Sequence, residues 1–288
     1  MVRTNRDQLV EMAVGGEVWP PTLRGPYRAN TQGEAFNLMG MAGVVLNARV
    51  GDLAYGWAAD HLEPAVSIRN RDDGAEHALH YLACIGNRAV VTSGEAKGAR
   101  GVVTGEHAHI LVDFEPDVLE QICIGDQILI HAIGMGLEML DYRDISVRKM
   151  SPELFAALRI EELGDGRIRV PVAAEIPGYL MGSGAELGAD YVDQDMTTND
   201  RETLASLGLN QLRIGDILAV RDHDHTMNRG YREGAITIGL INHGDSVMTG
   251  HGPGVMDLLS CATSKIEYYI DKRANLAAYL GIGNKHLT

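Results

Sequence analysis

Short apolar runs separated by glycine turns dominate this chain and limit what it can fold into. Glycine occurs 34 times in 288 residues, whereas aromatic residues make up only 5%. The apolar runs are rich in β-branched residues and are bounded by Gly-Asp or Gly-Asn pairs, which is typical of strands joined by tight turns. Three segments place Gly-Asp just before an apolar alternation: residues 49 to 61, 123 to 136 and 213 to 225. The sequence therefore predicts a strand-dominated α+β protein, packed as a barrel or a sandwich.

Helices are expected at the periphery of this body. Ser264 and Glu267 have the spacing of a capping box, and apolar residues then share one helical face as far as Gly281. This pattern predicts a long C-terminal helix. Shorter helices are predicted at 73–82, at 199–207 and after Ser151.

Length and composition suggest how the chain is divided. A chain of 288 residues with 45% hydrophobic content can bury a large core without disulfide bonds. The polar, glycine-containing stretch 161–167 separates a predicted helix from a new strand. We therefore expect an N-terminal β-rich subdomain, 1–160, and a C-terminal α+β subdomain, 161–288, with one continuous domain as the alternative.

Charge and targeting signals restrict the partners and the compartment. The formal net charge is -14, and the 25 Lys and Arg residues are scattered, which disfavours binding to a phosphate backbone. No N-terminal segment resembles a secretory signal, and no apolar run approaches the length of a membrane span. Cys84, Cys123 and Cys261 lie in apolar contexts, as expected for free thiols in a reducing compartment. We expect a cytoplasmic protein that binds neither nucleic acid nor membranes.

The stretch 222–225 contains alternating aspartates and histidines. On a strand, Asp222 and Asp224 would point to one face, and His223 and His225 to the other. Paired histidines with a carboxylate suit Zn, Mn, Fe or Ni, and paired aspartates with waters suit Mg or Mn. The alternative is a solvated turn whose carboxylates cap backbone amides.

A buried strand predicted over 235–241 would present further polar side chains at its end. Asn242, His243 and Asp245 follow it directly, and His251 lies in the next turn. Histidine and carboxylate side chains are the usual groups for proton transfer. We therefore assign His243, His251 and Asp245 as catalytic candidates.

The Gly-His-Gly-Pro-Gly turn at 250–254 is a candidate substrate site. Glycine lets backbone amides approach a ligand closely, and residues 255–259 are expected to begin a helix, whose first amides favour anions. The residues predicted to bind substrate are Gly250, Gly252, Gly254 and Asn242. A tight structural turn is the alternative.

Asp60 and His61 follow the first Gly-Asp segment much as Asp224 and His225 follow the third. If the two segments meet in space, they provide histidines and carboxylates for a divalent cation, Zn, Mn or Mg. The predicted metal ligands are Asp60, His61, Asp222, Asp224 and His225. A surface turn at Asp60 and His61 is the alternative, and no nucleotide cofactor is expected, because the phosphate-binding glycine motifs are missing.

His107 and His109 have the same-face spacing of a strand. They are expected on a solvent-exposed hairpin. We therefore place them outside the predicted site.

Several motifs resemble, in combination, those of one protein family. They are GWAADHLEP, LACIGN, KGARGVVTG, MGSG, GAITIG and GHGPGV. The chain is similar over nearly its whole length to a bacterial and archaeal family known as domain of unknown function 4438. The resemblance implies no settled activity. It does imply that Asp60, His61, His243 and His251 lie in signature segments.

A similarity in the general pattern of strands, turns and acid–histidine clusters indicates a reaction class. Acetamidase/formamidase-like hydrolases also have β-rich bodies, Gly-Asp strand entries and acid–histidine clusters, although their Gly-Asp-x-His run is missing here. By this analogy we predict a metal-dependent hydrolase or lyase that acts on a small polar metabolite, an amide or cyclic amide. The alternative is a non-catalytic small-molecule-binding or oligomeric scaffold protein. In either case we expect a homo-oligomer, because of the glycine-rich β surfaces and the long helix.

Overall fold

The structure is a computed structural model that describes residues 2–23, 27–37, 40–186 and 188–284. Strand residues make up 35% and helical residues 13%, which confirms the strand-dominated fold. The strands are β1 (Met12–Val18), β2 (Arg28–Ala29), β3 (Ala35–Phe36), β4 (Val66–Arg69), β5 (Arg88–Val91), β6 (Arg100–Glu106), β7 (Ile110–Asp113), β8 (Gln127–Ala132), β9 (Ile145–Val147), β10 (Glu161–Glu162), β11 (Ile168–Val172), β12 (Ala174–Pro177), β13 (Gln194–Asp195), β14 (Ile217–Asp224), β15 (Gly230–Ile241), β16 (Gly254–Cys261) and β17 (Ile266–Ile270). The α-helices are α1 (Asp73–Leu82), α2 (Pro116–Leu119), α3 (Pro152–Ala157), α4 (Arg201–Ser206) and α5 (Leu276–Leu280).

Six strands of the N-terminal half close into a barrel in the order β1-β4-β7-β6-β5-β8. Strands β1 and β8 pair antiparallel from Met12↔Ala132 to Glu17↔Gln127 and so close the ring. Aliphatic side chains fill the interior, among them Ile68, Ile110 and Ile130. Closure pairs the strand edges, which would otherwise be open to other chains.

The C-terminal half contains a second sheet in the order β12-β14-β15-β16-β13. The apolar run 235–241 lies in β15, so the prediction of a buried strand there is confirmed. β9, which lies before the predicted C-terminal subdomain, pairs with β16 of this sheet. The core beneath this sheet also includes Val2 and Val50 from the first half. The two halves therefore share a core.

The predicted long C-terminal helix is wrong. Residues Ile266–Ile270 form β17, which pairs parallel with β11, and only the short α5 is helical before Gly281. The expected capping residues have other partners: Ser264 Oγ donates to Gly234 O at 3.2 Å, and Glu267 pairs with Arg167. The β-branched and tyrosine side chains of this segment suit a strand once a partner strand is available.

The predicted helices at 73–82 and after Ser151 are confirmed. Helix α1 has the predicted bounds, with Asp72 as its N-cap. Ser151 caps α3 by accepting a hydrogen bond from Leu154 N. By contrast, 255–259 is not helical but lies in β16. No helix in the described ranges is long and apolar enough to cross a bilayer.

A buried ionic network joins α1 to the barrel. His80 Nδ1 lies 2.7 Å from Glu106 Oε1, and its Nε2 lies 3.2 Å from Glu76 Oε1. Lys149 Nζ lies 2.8 Å from the other oxygen of Glu106. Burial lowers the pKa of His80, but the two carboxylates outweigh it and raise the pKa to about 9.

The network makes stability depend on pH. Because the pKa of His80 is raised from 6.5 to about 9 on folding, its contribution is fully present below pH 6.5 and is lost as the pH rises through 9. Between about pH 6 and about pH 10 we expect the free energy of unfolding to fall by about 3 kcal/mol in urea denaturation. His80→Gln should lack this fall, whereas His77→Gln, an exposed change on the same helix, should keep it. An equal fall in His80→Gln would contradict the assignment.

Candidate metal centre

Four histidines and two aspartates from distant parts of the chain come together in one cluster. They form two groups of three, and within each group the ligand atoms lie within 4.8 Å of one another. The groups are His61, Asp195 and His251, and His107, Asp193 and His243. The groups adjoin, because the ring centroid of His61 in the first group is 5.2 Å from that of His107 and 5.4 Å from that of His243 in the second.

Strand ends position these side chains. His107 follows β6 of the barrel, and Asp195 lies on β13 of the second sheet. His243 follows β15, and His251 precedes β16. Because β16 lies between β15 and β13, it separates the strands that carry His243 and Asp195. Each half of the chain thus contributes ligands.

A glycine lets these neighbours meet across β16. Gly254 lies opposite Asp195 in the strand register. A Cβ at Gly254 would lie 2.1 Å from Asp193 Oδ2 and 2.4 Å from His243 Nε2. Any other residue here would therefore occupy the space in which the aspartate and the imidazole approach each other.

Asp195 connects the two groups through its two oxygens. Its Oδ2 lies 2.6 Å from His251 Nδ1 and 3.4 Å from His61 Nε2. Its Oδ1 lies 3.3 Å from His243 Nε2, which is also 3.0 Å from Asp193 Oδ2. Each oxygen of Asp195 thus faces a different group of histidines.

Two of the histidines, His107 and His243, have Nδ1 held in a hydrogen bond, and Nδ1 of His61 lies near a carboxylate without hydrogen-bonding geometry. The Nδ1 contacts are His61 to Asp60 Oδ2 at 3.1 Å, His107 to Glu63 Oε1 at 2.9 Å, and His243 to Gly244 O at 2.8 Å. Such contacts set the tautomer and the orientation of an imidazole and leave Nε2 for another partner. This is the arrangement that metal-ligating histidines show in proteins.

Glu63 anchors His107 from a fully buried position. It also accepts hydrogen bonds from Ala42 N and Ser67 Oγ, both at 2.7 Å, and it contacts His109 Nδ1. Burial raises the pKa of Glu63, but His107 and His109 outweigh it and hold the pKa well below its usual range. Glu63 is therefore ionised at neutral pH.

The electrostatics of the cluster are those of a cation site. Burial raises the pKa values of Asp193 and Asp195, but the neighbouring histidines outweigh it and lower both. Burial lowers the pKa of His243, and the two aspartates raise it well above 6.5. Yet His243 Nε2 is buried and makes no hydrogen bond of good geometry. A buried, unsatisfied nitrogen between two ionised carboxylates is a donor set that a metal ion would satisfy.

Two of the predicted metal ligands lie at this cluster. His61 belongs to the first group, and Asp60 lies behind it at Nδ1. His243 and His251, predicted as catalytic residues, are themselves members of the two groups. The segment with Asp60 and His61 therefore meets the one with His243 and His251, whereas the predicted meeting with Asp224 and His225 is not found in either group.

Asp222 and Asp224 belong to neither group and serve the local turn. Asp222 Oδ1 accepts a hydrogen bond from Gly234 N where the pairing of β14 with β15 shifts register. Asp224 accepts hydrogen bonds from Thr226 and pairs with Arg232. Their placement corresponds to the capping alternative rather than to metal ligation.

His225 lies in a second buried polar cluster. Its Nδ1 is 2.6 Å from Asp257 Oδ2, and its ring contacts His223. His223 Nε2 lies 3.3 Å from the side chain of Gln194, which adjoins Asp195 on β13 and alternates with it in direction. Burial is the largest cause and repulsion from His225 the second, and together they lower the pKa of His223 to about 4. This cluster therefore lies on the other side of β13 from the metal centre.

The remaining catalytic and substrate-binding candidates have structural partners. Asp245 accepts a hydrogen bond from Thr198 Oγ1 at 2.6 Å and pairs with Arg201. Asn242 Nδ2 donates to Asp193 Oδ2 at 2.6 Å, so it supports a ligand.

The glycine turn does not begin a helix, because β16 starts at Gly254. A Cβ at Gly252 would lie 1.9 Å from Met196 O, whereas one at Gly250 would have no neighbour within 4 Å. Gly252 thus permits close passage of two chain segments. The physical argument for an anion site at a helix start does not apply to this turn.

Sequence reasoning missed His107, Asp193 and Asp195. His107 is not on an exposed hairpin, because only 15% of its side chain is accessible. Asp193 and Asp195 lie in a glycine- and acid-rich stretch that resembles a surface loop. Their one-residue spacing is the same signal that drew attention to Asp222 and Asp224, and it would have found them.

A cleft of about 150 Å³ opens onto the cluster. Its lining includes Asp60, His61, His107 and His251. Side chains from β2, β3 and the neighbouring segments complete it. A small molecule in the cleft can therefore contact His61, His107 and His251, whereas the other three members of the cluster are not among the lining residues.

Two family models match the chain along almost all of its length. The model described as domain of unknown function (DUF4438), N-terminal, matches residues 27–156, and the C-terminal model of the same name matches 157–280. The chain is also 43% identical to the protein in the crystal structure of TM1086, with a TM-score of 0.93, over 97% of this chain and 99% of that one. No curated protein matches it. The resemblance in the motifs is confirmed, and the protein belongs to the DUF4438 family.

Proposed function

We propose that this protein is a metal-dependent hydrolase or lyase whose centre holds two divalent cations. The observation that carries the proposal is the position of Asp195, whose oxygens face two separate groups of histidines. A carboxylate in this position is suited to bridge two ions. Four histidines and two aspartates favour Zn or Mn over Mg, which prefers oxygen ligands and water.

The residues present fit such a centre. Gly254 leaves space beside Asp193 and His243, where a Cβ would lie within 2.4 Å of both side chains. His243 Nε2 needs a partner that no described residue provides in hydrogen-bonding geometry. Asp60 and Glu63 hold the histidines from behind, as acidic residues commonly do around metal ligands.

This donor set supports hydrolytic chemistry on a small polar metabolite. Paired divalent ions, when bound, polarise a carbonyl oxygen and lower the pKa of bound water to near neutrality. His61, His107 and His251 line the cleft, so they present this chemistry to a molecule that enters it. We propose an amide or cyclic amide as the substrate, because its carbonyl carbon is an electrophile that such a centre can activate.

Metal stoichiometry tests the proposal. The purified protein, loaded with Zn or Mn and desalted, should retain about two equivalents by elemental analysis. Asp195→Asn should lose at least one equivalent or bind both at least about tenfold more weakly, because an amide provides a single acceptor oxygen. Asp222→Asn is the matched control and should bind as the wild type, since Asp222 contacts Gly234 N rather than the cluster.

The hydrolytic activity should depend on the bound metal. Loaded protein should release ammonia or amine from members of a panel of small amides, and Asp195→Asn should lower kcat/KM by about 100-fold or more. Less than about a tenth of an equivalent of any divalent metal, with no shift of Tm when metal is added, would overturn the proposal and favour a non-catalytic scaffold. Two tightly bound ions without turnover of any amide would support a binding protein instead.

Gly254 provides an independent test of where the ions bind. Gly254→Ala places a methyl group 2.1 Å from Asp193 Oδ2. We expect at least about a tenfold loss of metal affinity by calorimetry, because the ligand atoms must move apart. Gly230→Ala is the control, since a Cβ at Gly230 has no neighbour within 4 Å. Unchanged affinity in a folded Gly254→Ala protein would place the ions elsewhere.

A further inference from the structure

Arg28 is a cation in the cleft that pairs with no carboxylate among the residues that the structure describes. It lies on β2, and it lines the cleft together with His61, His107 and His251. Its Nη1 lies 3.4 Å from Met248 Sδ. A thioether is a weak acceptor, so as far as the described residues are concerned most of the five donors of the guanidinium remain available to a ligand.

Arg28 differs in this from most of the described arginines, although Arg100, Arg143, Arg159 and Arg213 also form no ion pair with a described carboxylate. Many arginines in the described ranges pair with a carboxylate: Arg3, Arg49, Arg69, Arg71, Arg148, Arg167, Arg169, Arg201, Arg221, Arg229, Arg232 and Arg273. Such pairing is expected, because acidic residues outnumber basic ones by 39 to 25. Within the described ranges Arg28 shows no such pair, although it lines the same cleft as Asp60.

When metal ions are bound, Arg28 determines the sign of the net charge in the cleft. The nearby carboxylates are Asp60, Glu63, Asp193 and Asp195. Two divalent cations would balance these four negative charges. Arg28 then gives the cleft a net positive charge, which favours an anionic ligand in a chain that otherwise repels anions.

We propose that Arg28 binds an anionic group of the substrate, so that the substrate is a small amide that also carries a carboxylate or a phosphate. This inference rests on the proposed function. The planar fork of a guanidinium matches both kinds of anion through two parallel hydrogen bonds. Arg28 holds the anionic end, while the carbonyl lies at the metal centre. It takes over the role that the sequence suggested for the glycine turn 250–254.

Simple anions test the role of Arg28. Metal content is measured first, and metal-loaded and metal-free proteins are then titrated by calorimetry with acetate, with malonate, succinate and glutarate, and with phosphonoacetate. One acid group can reach the metals while the second reaches Arg28. In the loaded protein at least one two-headed anion should bind about tenfold more tightly than acetate. The affinities of the dicarboxylates and of phosphonoacetate are each compared with that of acetate. The larger increase in affinity identifies the preferred anion.

Arg28→Gln should abolish this advantage and leave acetate binding unchanged. Arg100→Gln, which alters an exposed arginine of the barrel strand β6, should retain it. Equal affinities of wild type and Arg28→Gln for every two-headed anion would overturn the inference while leaving the metal centre intact. If the protein takes up no metal, the proposed function fails by that measurement, and Arg28 keeps its role only if Arg28→Gln weakens the binding of a two-headed anion to the metal-free protein.

Discussion

The carboxylate of Asp195, shared between two groups of histidines, is the interaction on which the site depends. An ionised, buried aspartate is costly unless positive charge or hydrogen bonds compensate it. Here the compensation comes from His61, His243 and His251. Arg229 supports the same segment from behind by donating to the backbone carbonyl of Asp193 at 2.9 Å. The segment is thus held in place on both of its faces.

The fold brings the ligands together at the junction of its two halves. The barrel half supplies His61 and His107, and the second sheet and its turns supply the aspartates and the other histidines. Neither half alone completes either group of three. The shared core and the pairing of β9 with β16 fix the halves against each other, as a centre with ligands from both requires.

Local patterns predicted much of this structure and failed where distant partners decide. Alternation and turn residues identified the buried strand at 235–241, and Ser151 marked the start of α3. The Ser264 capping box failed because pairing of β17 with β11 competes with helix formation. His61 and His243 stood out by their neighbours along the chain. Asp195 was overlooked despite its spacing from Asp193, because its importance comes from histidines that lie far from it in the sequence.

Anomalous X-ray diffraction from crystals of the Zn- or Mn-loaded protein tests the central claim most directly. Two metal peaks should lie about 3.5–4 Å apart, one beside His61 and His251 and the other beside His107, Asp193 and His243, with one oxygen of Asp195 toward each. A single peak, or peaks away from Asp195, would contradict the shared carboxylate.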